Sequence, residues 1–81
     1  MTEIEINKKA GLLLCDLMES NAEDRSSVVW DATQDLTAGT RARVLLNTLL
    51  QFADAWDAAV STPENRARLA VNIAQARAVL S

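Results

Sequence analysis

Few side chains in this chain of 81 residues could carry chemistry. Histidine is absent, which removes the commonest general base and the commonest metal ligand. Cys15 is the only cysteine. It stands beside Leu14 and Met18, with no second thiol for a metal site and no identifiable base to form a thiolate. It is therefore expected to be a small core residue. Asp16 with Glu19, and Asp54 with Asp57, are spaced three apart, which puts two carboxylates on one helix face. A di-metal centre in a helical bundle needs inward-facing Glu and Glu-x-x-His. These pairs lie outside the apolar stripes and no histidine follows them, so they read as solvated faces. No catalytic, cofactor or metal site is expected, and the chain does not read as an enzyme.

Two arginines and a tryptophan stand out next. Arg41 and Arg43 fall in the first turn of an expected helix, where the dipole disfavours positive charge. Asp31 and Asp35 fall at the negative end of the helix before it, which is equally unfavourable. The misplacements offset each other if the two ends lie side by side, and that pairing is the expected arrangement. The rival is a helix-turn-helix in which Arg41 and Arg43 lead a recognition helix into a DNA major groove. Acidic neighbours and the broad apolar face of that helix argue against it. The net charge of −3 also argues against a general affinity for nucleic acid or an anionic membrane. Trp30 points away from the Val28/Ala32/Leu36 face. Either the helix is irregular and Trp30 is core, or an aromatic ring is left at the surface in a partner-binding patch.

The element that organises the rest is a helix through Thr40–Ser61. Ala42, Leu46, Leu49, Ala53, Trp56 and Val60 recur at steps of four and three and share one face. Leu45, Phe52, Ala59 and Leu50 widen it to roughly half the circumference, more than a typical surface helix presents. Leu46, Leu49, Ala53 and Trp56 are expected to be buried, with Ile73 beside them. Gly39 should turn the chain and Thr40 should cap the helix. Ser61, Thr62 and Pro63 end it.

Before it, Thr2 and Glu5 have capping-box spacing, so a first helix starts near Glu3 with a stripe of Ile6, Ala10, Leu13 and Leu17. Gly11 weakens it by about 1 kcal/mol relative to alanine. Ser20 and Asn21 break it, and Asn21 is placed to cap a second helix carrying Val28, Val29, Ala32 and Leu36. After the central helix, Thr62, Pro63 and Glu64 give a strong start signal. The fourth helix has a main stripe of Leu69, Ile73, Ala76 and Leu80, and a second stripe of Ala67, Val71, Ala74 and Ala78. The fold class expected is all-α: one four-helix, bundle-like domain with helices at about 3–19, 22–36, 41–60 and 63–80. The last two form an antiparallel hairpin.

Composition agrees, because alanine is common while Gly (two) and Pro (one) are scarce. A chain this short buries only about 60% of its unfolded surface, so association would add stability. No run is long enough to span a bilayer. Met1-Thr-Glu-Ile-Glu does not open like a signal peptide, and with one cysteine a reducing cytoplasm is the expected location. Up to Leu36 eight acids face Lys8, Lys9 and Arg25, for a charge of −5. Beyond it Asp54, Asp57 and Glu64 face five arginines, for +2. The simplest expectation is that the halves pack together and their charges pair.

Val44, Val71 and Val79 fall off their main stripes, so there is more apolar surface than one compact monomer needs. The expected function is a small acidic protein–protein interaction module: an adaptor, inhibitor or regulator. Its size and acidity also fit a phage- or mobile-element-encoded protein acting on a host protein. The expected interface is Trp30, Val44, Ala67, Val71, Ala74 and Ala78. The small fourth-helix residues invite close approach by a second copy in a homodimer. The rival explanation of that stripe is coverage by the first or second helix of the same chain.

Overall fold

The computed structural model describes residues 1–59 and 62–81. The fold is all-α, with no strand among the described residues. Helix α1 spans Glu3–Glu19, α2 spans Arg25–Thr33, α3 spans Ala38–Ala59 and α4 spans Pro63–Leu80; a 3-10 turn at Ala22–Asp24 leads into α2. Val60 and Ser61, expected at the end of the central stripe and at its stop, lie outside the described residues.

The two outer helices start as their sequences require. The Thr2 hydroxyl accepts the Glu5 N–H at 3.2 Å and donates to the Glu5 carboxylate at 3.0 Å. The cap is there, but Glu5 takes up the hydroxyl of Thr2 rather than its backbone N–H. The Thr62 hydroxyl accepts the Asn65 N–H at 3.2 Å, with Pro63 in the first turn.

The middle boundaries differ from expectation. Residues 22–36 form a 3-10 turn and a nine-residue helix, not one long helix, and Asn21 makes no side-chain cap bond. The Thr33 hydroxyl donates to the Val29 carbonyl at 2.7 Å, a back-bond of the kind that competes with helix continuation. Helix α3 then starts three residues earlier than expected. Its first turn is capped by Thr37, whose hydroxyl accepts the Thr40 N–H at 3.3 Å. Gly39 is helical, not a turn: no glycine has positive φ, and a Cβ on Gly39 would meet nothing within 4 Å.

The core lies where α1 crosses α3, with α2 across one side. Ile6, Ala10 and Leu13 of α1 and Val44 of α3 are fully buried or nearly so. Leu17, Val28, Val29, Ala32, Leu36 and Leu45 pack around them, half-buried. The stripes drawn for α1 and α2 therefore face the core. The stripe drawn for α3 does not. Leu46, Leu49, Ala53 and Trp56 are exposed, as is Ile73 of α4.

Helix α3 instead turns Val44 and Thr48 inward, with Arg41 and Gln51 half-buried on the same side. At about 100° per residue that face is roughly 140° from the centre of the apolar stripe. Polar residues can occupy it because each is satisfied locally. The Thr48 hydroxyl donates to the Val44 carbonyl at 2.8 Å, and the Gln51 amide reaches across to the Asn7 carbonyl of α1 at 3.0 Å. Gly11 makes room for that reach: a Cβ there would sit 3.2 Å from the Gln51 amide oxygen.

Helix α4 folds back along α3. Asp57 and Arg66 touch at 3.3 Å, and Phe52, Ala53 and Trp56 line one depression with Leu69 and Ile73. The facing pairs run in opposite chain directions, so the hairpin is antiparallel. It is also open. None of α4's residues is buried, Leu69 is half-buried, and Leu80 is 85% exposed near the far end. The radius of gyration is 15.0 Å, against about 12 Å for a compact domain of this length.

Candidate functional site

Among the described residues, the apolar face of α3 is left mostly uncovered by the rest of the chain. Leu46, Leu49 and Leu50 are each more than half exposed, and Phe52 and Trp56 nearly so. The face exists because the helix carries apolar residues over half its circumference while α1 covers only a narrow part of the rest. Phe52 and Trp56, one turn apart, stack with ring centroids 6.1 Å apart and planes at 23°. Between α3 and the end of α1 this face dips into a groove of about 460 Å³. Leu14 and Met18 form one wall and Leu49 and Phe52 the other, with Arg25 also lining it. Contiguous exposed apolar surface of this kind marks sites of association.

A second, smaller feature joins α2 to α3. Trp30 is 58% exposed, so it is not core. The Arg41 guanidinium lies 5.7 Å from the centre of its ring. Arg41 also donates to the carbonyls of Thr33 (3.1 Å), Gln34 (3.3 Å) and Leu36 (3.4 Å). The expected pairing of Arg41 and Arg43 with Asp31 and Asp35 is not what forms. Arg41 donates to carbonyls at and just past the end of α2, where a cation also meets the negative end of the dipole; the Thr33 carbonyl accepts the Leu36 N–H as well, at 3.1 Å. Arg43 is exposed. The one ion pair among the described residues, Arg66 with Asp57, lies within the second half of the chain, not across the halves.

The other interface candidates fall in two groups. Val44 is fully buried in the core and cannot meet a partner. It reads as off-stripe because the stripe of α3 faces away from the core. Ala67, Val71, Ala74 and Ala78 are all exposed on α4, on the side away from Leu69, and neither α1 nor α2 covers them. Sequence reasoning missed Leu46, Leu49 and Leu50 as surface residues. The signal was present in the breadth of the α3 stripe, which exceeds what one neighbouring helix covers.

Cys15 is exposed, not a core residue. Asp16 and Glu19 share a shallow depression with Asp31. Among the described residues no group of three His, Cys, Asp or Glu side chains is placed to hold a metal ion. No described helix is long and apolar enough to cross a membrane. Compared with protein-family models, curated proteins and solved structures, the chain matches none of them.

Proposed function

We propose that this chain is a protein–protein interaction module, a small acidic helical adaptor, inhibitor or regulator that works by binding other protein chains. The carrying observation is the solvent-facing apolar stripe of α3, from Leu46 to Trp56. A helix that turns Thr48 and Gln51 toward its own core and leaves leucines in water gains by covering those leucines with another chain. Copies of the same chain are among the partners. The exposed thiol of Cys15 fits a reducing compartment such as the cytoplasm. An origin in a phage or mobile element, with a host protein as target, fits the small size and acidity.

The helix-turn-helix alternative loses ground at its donors. Arg41 is engaged by three carbonyls and the Trp30 ring, which leaves Arg43 alone to face a groove. Capture from cell lysate by the wild-type chain, set against a Leu49→Glu/Leu50→Glu double variant, tests the reading. Proteins retained by the wild type and lost by the variant are the expected result. Identical captured sets would overturn it. Sequence-dependent duplex binding at physiological salt, lost in Arg43→Gln, would favour the DNA alternative.

A further inference from the structure

We infer that the open face of α3 is covered by a second copy of this chain, in a two-fold dimer in which α4 of each copy lies against α3 of the other. This names a partner for the face described above and rests on that reading. The first argument is area. The chain exposes 6218 Å², while a compact monomer of its mass exposes about 4,800 Å². The surplus is about 1,400 Å² per chain, or about 2,800 Å² for a pair, within the range that permanent homodimers bury.

The second argument is that one chain holds both halves of the contact. Helix α4 buries no residue in its own chain, and its Leu69/Ile73 side leans on α3 only near Phe52 and Trp56. Exposure then rises from Ile73 at 45% to Leu80 at 85%, while Leu46 and Leu49 at the matching end of α3 stand at 56% and 66%. The hairpin is thus an open V with apolar arms. A two-fold axis lets each V receive an arm of the other, so the uncovered inner sides of α3 and α4 meet each other.

The test is the solution mass of the full chain by light scattering or sedimentation equilibrium, from low to high micromolar concentration. The wild type is expected at twice the chain mass of 8.8 kDa. Leu49→Glu on α3 and Ile73→Glu on α4 are each expected to fall to the mass of one chain. Both positions are exposed in the single chain, so helicity by circular dichroism should be unchanged. Val71→Glu, on the far side of α4, is expected to stay dimeric. A wild type that is monomeric throughout overturns the inference. If Leu49→Glu/Leu50→Glu still loses captured proteins in that case, the interaction reading stands without the dimer. A dimer that survives Leu49→Glu or Ile73→Glu, or that Val71→Glu dissociates, overturns the assignment of the faces.

Discussion

Leu13 and Leu49 are the same residue type on helices that touch, yet one is 2% exposed and the other 66%. Deleting a buried leucine side chain removes its transfer free energy and leaves a cavity, so Leu13→Ala should destabilise by about 2–5 kcal/mol. Leu49→Ala, measured below the concentration at which chains associate, should stay within about 0.5 kcal/mol. Denaturant midpoints at low protein concentration check both. The two arginines separate in the same way. Arg41→Gln removes charged donors from three carbonyls and a cation from the Trp30 ring, and should cost about 1–3 kcal/mol. Arg43→Gln should leave thermal stability unchanged, since Arg43 is exposed and bonds none of those carbonyls. Equal losses in the two variants would contradict the geometry at the end of α2.

At the scale of the element, α3 is defined by where it starts and which side it buries. Its start is held by the Thr37 hydroxyl on the Thr40 N–H. Thr37→Ala should cost about 0.5–2 kcal/mol, as lost N-caps do, and Thr40→Ala markedly less. Chemical denaturation of the two variants side by side decides between the caps. The buried side is held by the Val44 contact with α1 and by polar groups that find partners within reach. The open side is left for α4, which reaches only its last turns. So α3 has two unlike faces: one builds the core and the other is exposed to solvent.

The whole molecule is long for its mass, 40 by 25 by 24 Å, because α4 leans away from the three helices that make the core. Four buried apolar residues among the described ones are a small core for a chain of this length. Stability supplied by association depends on concentration, because anything that binds only the folded chain shifts the equilibrium by mass action. The melting temperature of the wild type should therefore rise as concentration rises. That of Leu49→Glu should be lower and flat. A wild-type melting temperature independent of concentration would count against association as a source of stability.

Sequence alone determined the all-α class of this protein and both ends of its first and last helices. Thr2 and Thr62 carry hydroxyls at cap positions, and Pro63 can only begin a helix, so local hydrogen bonding fixes those termini whatever the chain packs against. The stripes Ile6–Ala10–Leu13 and Val28–Ala32 were legible because α1 and α2 each have one apolar side. On α3 the pattern was ambiguous in kind. An apolar arc of half a circumference fits several orientations, and periodicity reports only its centre. The choice was made by contacts between helices: Gln51 with Asn7 beside the gap at Gly11, and Arg41 with the end of α2. Those contacts turn Val44 inward and Leu49 outward. Which leucines form the core and which stay exposed is therefore a tertiary decision, because it depends on which polar groups find partners when the helices meet.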